Sequence, residues 1–386
     1  MKRFALPALT AAGLWLLAWY ALPFAVPLPE GLRTDPTTSP VPPDRHGTPI
    51  HHLVLPDSSR RAPVSLDQIP GDLVACTLAA EDKRFFSHGG VDLLATCRAA
   101  RDLIAHRKVK SGASTITQQL IKISSPTAER SPLTKVREAL LARRLEMTWP
   151  KDKILTAYLN RLDYGNLRIG TSEAARFYFQ KPLNDLSLAE CALLAGLPQA
   201  PTRLNPIRNP QRAIKRRDTV LERLEENLNY DPSRISLASR EPLNLRPLKA
   251  SQPAAWLAPF AGTARSSRTS IDLPLQREIE TIVREETSKL KEANLRHAAV
   301  VIIDNATGAI LALVSSASWT DPRGGQLNGA FLPRSPGSTL KPFTYLLALE
   351  KNHRTPASIL SDIPSPFRTP QGLDLPENYD RRYRGP

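Results

Sequence analysis

Residues 4–29 carry no charged side chain and run through Leu, Ala, Trp and Phe directly after Met1-Lys2-Arg3. About twenty apolar residues suffice to cross a bilayer as a helix, so this run constrains everything that follows it. The Lys-Arg pair ahead of it keeps the N-terminus cytoplasmic and sends the remainder across. A cleaved signal peptide is the rival reading, but no clear A-x-A-type site follows the apolar core. The expectation is a cytoplasmic tip at 1–3 and an uncleaved anchor over 4–28, its limits blurred by Pro7, Pro23 and Pro27. The chain holds 52 Lys+Arg against 37 Asp+Glu, a net +15. Such a balance implies polyanionic neighbours. Outside the cytoplasm these are anionic lipid and phosphorylated substrates rather than nucleic acid.

At 386 residues the chain exceeds one typical core. Its composition excludes a disordered tail, a collagen-like fibre and a disulfide miniprotein. Cys76, Cys97 and Cys191 lack metal-ligand spacing and read as small buried hydrophobes, with one disulfide left open. Residues 29–70, rich in Pro, Asp and Ser, read as a stalk. From 71 to 230 the text is helical. Ser131-Pro132 supplies an N-cap and N1, Ser187-x-x-Glu190 a capping box, Gly196 and Pro198 a stop, and Asn209-Pro210 another start. Periodicity lapses over 231–268, a linker. From 269, Leu275, Ile279, Ile282, Val283 and Leu290 stripe a helix. Residues 298–303 and 309–314, joined by Asp304-Asn-Ala-Thr-Gly308, read as a β-hairpin.

Three segments of the helical part concentrate chemistry. In Glu81–Asp92, helical spacing sets Glu81, Phe85 and His88 on one face, and a carboxylate beside aromatic surface gains proton affinity, as a general base requires. A helix-dipole carboxylate explains the same Glu equally well. Ser111–Lys122 leads small residues into a helix bearing Thr115, Gln119 and Lys122; a helix start with free N–H groups suits a sugar pyrophosphate. Thr115-x-x-Gln118 alone is also a plain capping box. In the third segment Glu138 borders an apolar seam between Lys135 and Arg137, and taken alone this carboxylate is better explained as an ordinary helical ion pair. Together, two carboxylates, a cationic helix and a membrane tether serve one reaction, since carboxylate pairs are the usual apparatus at an anomeric carbon.

Glu81–Asp92, Gly112–Lys122, Lys135–Glu146, Lys151–Asn160 and Gly170–Pro206 resemble, in order, the motifs of the family 51 peptidoglycan glycosyltransferases. The resemblance implies a mainly α, lysozyme-like domain that polymerises lipid II. It casts Glu81 as the base that deprotonates the acceptor 4-hydroxyl and Glu138 as the acid near the departing pyrophosphate. Asp82, Phe85, His88, Thr115, Gln119, Lys122 and Lys135 fall at substrate-binding positions. No cofactor is required, with a divalent cation (Mg or Mn) allowed at the pyrophosphate. Thr134 stands where the family has Arg, and Thr156 where Glu is common. Glu190 also meets a motif, but its capping role is sufficient.

Further on, Ser338-x-x-Lys341 follows a Pro-Gly turn and resembles the acylating turn of penicillin-binding transpeptidases, with Ser338 as nucleophile and Lys341 as base. The S-x-N and K-T-G motifs that complete such a site are absent from 342–386. The two parts in this order resemble class A penicillin-binding proteins, nearest in wording to their 1C type. The expectation is therefore a single-pass protein of the bacterial inner membrane, catalytic parts periplasmic: a glycosyltransferase domain at 71–230, then an incomplete, truncated α+β transpeptidase module at 269–386. Its partners are lipid II, the growing glycan strand, the inner membrane and other wall-synthesis proteins, with no nucleic acid. A wall hydrolase and a non-catalytic tethered scaffold are the alternatives.

Overall fold

Capping chemistry sets most helix limits. The computed structural model describes residues 17–50, 53–106, 114–125, 131–246, 255–257, 268–319 and 321–385. Its helices are α1 (Gly71–Glu81), α2 (Leu93–His106), α3 (Ile116–Ile123), α4 (Pro132–Thr148), α5 (Lys151–Leu159), α6 (Thr171–Phe179), α7 (Leu188–Gly196), α8 (Pro210–Leu228), α9 (Pro232–Arg240), α10 (Leu273–Lys289) and α11 (Lys341–Lys351). Ser131 caps α4 through the Thr134 N–H, and both Thr115 and Ser187 close full capping boxes. Within the stretch read as a linker, Asp231 caps α9, and the Arg246 N–H bonds the Tyr178 carbonyl at 2.8 Å. The lapse in apolar periodicity hid a short helix opened by an Asp-Pro pair.

The chain forms two compact units, Met1–Ala330 and Phe331–Pro386. In the first, α7 is buried along its whole length, as a helix apolar on all sides must be, and packs on α1 and α8. Around it lie Tyr158, Tyr164, Tyr178, Phe85 and Phe179. A smaller core joins Ile50, Trp256, Leu273, Val283, Leu313 and Val314. There the antiparallel strands Val300–Ile303 and Ile310–Val314 form the expected hairpin, its turn held by Asp304 and by Gly308 at φ +71°. The expected α10 stripe shifts: Ile282 and Leu290 are exposed, while Gln276 is fully buried because its amide bonds both backbone groups of Leu313.

The 29–70 stretch read as a stalk is stitched into the first unit. Leu32 lies in the larger core and Ile50 in the smaller, Thr269 N–H bonds the Pro43 carbonyl at 2.9 Å, and Arg60–Arg61 pairs parallel with Arg168–Ile169. No helix among the described residues is long and apolar enough to cross a membrane. Residues 1–16, including 4–16 of the expected anchor, lie outside the described residues. Beyond them Leu17–Ala21 is a π-turn and Leu22–Ala25 a 3-10 turn carrying Pro23, so the α-helix expected to 28 does not continue there. All three cysteines are free, and Cys97 is exposed rather than buried.

Candidate active site

Helix α1 stops at Glu81 because the next side chain is claimed from elsewhere. Asp82 turns to φ −159°, and its Oδ2 accepts the Ile116 N–H at the start of α3, 3.0 Å away. Its carboxylate also accepts from His88 Nε2 at 2.9 and 3.0 Å. His88 Nδ1 receives the Gly90 N–H at 3.2 Å, which leaves the proton on Nε2 for Asp82. Glu81, Phe85 and His88 therefore do not share a helical face: Phe85–Ser87 is a separate 3-10 turn and His88 is extended. Gly90 adopts φ +97°, with room for no side chain because a Cβ would sit 2.6 Å from the Ala142 carbonyl oxygen.

Glu81 lines a cavity of about 380 Å³ together with Asp82, Lys83, Arg98, Gln119 and Arg223. Its Oε2 accepts from Gln119 Nε2 at 2.8 Å, and Tyr158 OH donates to Gln119 Oε1 at 2.9 Å, so the tyrosine fixes which end of the amide faces the carboxylate. Arg216 Nη2 lies 3.6 Å from Glu81 Oε1. Burial pushes the Glu81 carboxyl above its ordinary range; the Gln119 hydrogen bond, Arg216 and Arg223 oppose this, and the neighbouring Asp82 charge adds to it. Arg84 pairs with Asp92 at the cavity wall, and although burial works the other way, that bond and the Ala95 N–H hold Asp92 low.

Thr115 caps α3, donates its hydroxyl to the Gly90 carbonyl at 2.7 Å and is buried. Three of the N–H groups expected to be free at this helix start are already taken: Ile116 by Asp82, Gln118 by the Thr115 hydroxyl, Thr115 by Gln118 Oε1. Residues 111–113 of that motif lie outside the described residues. Phe85, 0% exposed, and His88 support the loop from within; Lys151 sits 4.2 Å above the Phe85 ring and donates to the His88 carbonyl at 2.7 Å. Lys122 is exposed. Glu138, 8% exposed on α4, accepts from Lys135 Nζ at 2.5 Å. None of Lys122, Lys135 and Glu138 lines the Glu81 cavity, so the structure unites Glu81, Asp82, Thr115 and Gln119 but not these three. Among the described residues no three acid, His or Cys side chains gather as a metal site. Glu138, engaged by Lys135, offers a single carboxylate.

Arg216, Arg223 and Tyr158 escaped the sequence reading. Arg216 and Arg223 share a face of α8 seven residues apart, and Arg216 is buried beside Ala213 and Val220. A cation on the apolar side of an amphipathic helix was the available signal.

In the second unit Ser338 lies in the 3-10 turn Gly337–Leu340, and the Lys341 N–H bonds its carbonyl. Both side chains are exposed, and no described residue of this unit is buried.

Residues 46–225 match the Transglycosylase family and residues 298–381 the Penicillin binding protein transpeptidase domain. Penicillin-binding protein 1C of Escherichia coli is 33% identical over 347 residues, 88% of this chain and 44% of that protein. Penicillin-binding protein 1F of Bacillus subtilis is 31% identical over 363 residues, 89% and 49%. Penicillin-binding protein 1A of Pseudomonas aeruginosa is 43% identical over 185 residues, 48% and 22%. The chain thus spans less than half the length of these relatives. On these matches it belongs to the class A penicillin-binding proteins, with a transglycosylase domain followed by penicillin-binding transpeptidase sequence.

Proposed function

We propose that the chain polymerises lipid II into glycan strands. Glu81 takes the proton of the incoming 4-hydroxyl, whose oxygen displaces undecaprenyl pyrophosphate from the growing strand with inversion at the anomeric carbon. The carrying observation is a buried carboxylate of raised proton affinity, oriented by Gln119 and Tyr158 in a cavity walled by Lys83, Arg98 and Arg223. Those cations suit a polyanionic substrate. Glu138 is assigned to the departing pyrophosphate, with Lys135 paired to it, and a divalent cation there would rely chiefly on substrate oxygens. The single anchor in the bacterial inner membrane is assigned to the uncharged run 4–28 in its part ahead of the turns at Leu17–Ala25, with the catalytic parts periplasmic and other wall-synthesis proteins as partners; the position of that run after Lys2-Arg3 supports this.

Incubation of labelled lipid II with the purified membrane form is expected to give a ladder of glycan polymer on a gel. Release of oligosaccharide from finished peptidoglycan with no ladder would replace this reading by a hydrolase, and binding without turnover by a scaffold.

The assignment of Ser338 and Lys341 as acylating pair carries a separate expectation. A serine is activated by a positioned base and an oxyanion site, whereas both side chains here are exposed, in a unit none of whose described residues is buried. Fluorescent penicillin is expected to label Ser338 weakly or not at all; stoichiometric labelling lost in Ser338→Ala would overturn this.

A further inference from the structure

Five residues beyond Glu138, Arg143 touches three things at once. Its Nη1 donates to the Gly89 carbonyl at 3.3 Å, its Nε to the Trp19 carbonyl at 3.4 Å, and its guanidinium lies 4.8 Å from the Trp19 ring and 5.2 Å from that of Tyr20. A planar guanidinium with a fork of donors can stack and donate together, which an ammonium cannot. The loop it holds is packed tightly at Gly90. A Cβ on Gly90 would meet the Ala142 carbonyl oxygen at 2.6 Å, whereas one on Gly89 would displace only the Arg143 guanidinium, the group that sits against that glycine. From this loop His88 reaches Asp82, adjacent to Glu81, and the Gly90 carbonyl takes the Thr115 hydroxyl.

The N-terminal segment is seated along the same side of the first unit. Arg144 lies 5.4 Å from the Phe24 ring and donates to the Val26 carbonyl, while Arg161 Nη2 donates to the Gly31 and Thr34 carbonyls at 3.0 and 2.9 Å. These contacts fix the path from residue 24 onward. Arg143 alone among them also grips the site loop.

We propose that Arg143 is a positioning residue that couples the seat of the N-terminal segment, through Trp19 and Tyr20, to the Gly89–Gly90 loop behind Glu81. The catalytic consequence rests on the polymerase reading above, but the mechanical coupling does not. Arg143→Ala, the paired change Trp19→Leu with Tyr20→Leu, and the combination are compared in the full membrane-form chain. Arg143→Ala is expected to lower kcat for polymer formation roughly tenfold with KM unchanged, since the loop aligns rather than binds. The aromatic pair should act in the same direction, and the combination should be no worse than Arg143→Ala, the mark of a shared path. Hydrogen exchange at residues 88–90 should quicken in every variant while α7 is unaffected. Additive losses, or exchange at 88–90 equal to wild type in Arg143→Ala, would overturn the proposal. A wild-type chain that makes no polymer would remove the catalytic reading, and the exchange experiment would still decide the coupling.

Discussion

Glu81→Gln is expected to cut the rate of polymer formation from lipid II roughly a thousandfold, the scale of a lost general base, while leaving the fold intact. The amide is isosteric and can still accept from Gln119, so the cavity keeps its shape. Two pH dependences follow from the same burial. Ionised Glu81 is the active form, so kcat/KM should rise with pH along a limb lying above the usual carboxylate pKa of about 4.3. For stability the folded state binds this proton more tightly than the unfolded chain does. The contribution is therefore complete at pH below the unfolded value and lost as pH rises through the raised folded value. Relative to wild type, Glu81→Gln should thus melt at a similar temperature in acid and at a higher one near neutrality. Initial rates on labelled lipid II and melting scans between pH 4 and 8 test all three; polymer formed at an undiminished rate would end the assignment of Glu81 as base.

What was legible in the residue order was local. Ser131, Thr115 and Ser187 each bond an amide three residues on, and the Asp304–Gly308 turn closes on itself, so each pattern is complete within a few positions. Glu138 does border an apolar seam, formed by Leu141, Ala142 and Leu145, because helical spacing alone carries that relation. The misreadings fall where a distant group outbids the neighbours. Asp82 leaves α1 for an amide 34 positions ahead, which no local propensity encodes. That same bond consumes one of the helix-terminal N–H groups that had suited a phosphate. Gln276 reads as a polar residue off the apolar stripe, yet it is the fully buried one, since the Leu313 backbone 37 positions away needs both of its amide atoms. Arg216 is of the same kind: its burial makes sense only once Glu81 arrives opposite it.

Glu173→Ala should be the most destabilising single change in the first unit that leaves the Glu81 cavity untouched. Glu173 is 0% exposed in the first turn of α6. It accepts from Arg168 Nη1 at 2.9 Å and from Arg176 Nη2 and Nε at 2.7 and 2.9 Å. Arg168 also lies 4.4 Å from the Phe177 ring and pairs through its strand with Arg60, whose guanidinium burial, with Arg168 beside it, pushes down to about 10. One carboxylate thus neutralises a site where guanidinium groups already repel one another. Removing it strands those charges in a poorly hydrated interior, a loss of about 3–5 kcal/mol for a broken buried pair. For a unit of this size that is roughly a 10 °C fall in Tm. Glu173→Gln should lose most of the same stability, because the amide restores shape but not charge. Glu190→Gln is the control: its partner Lys181 is partly solvated, so the loss should stay near about 1 kcal/mol. Melting of the full chain in detergent reads all three. A Glu173→Ala Tm within about 2 °C of wild type, on the scale just used, would mean that the arginines disperse to solvent and that the Arg60–Arg168 pairing does not depend on the carboxylate.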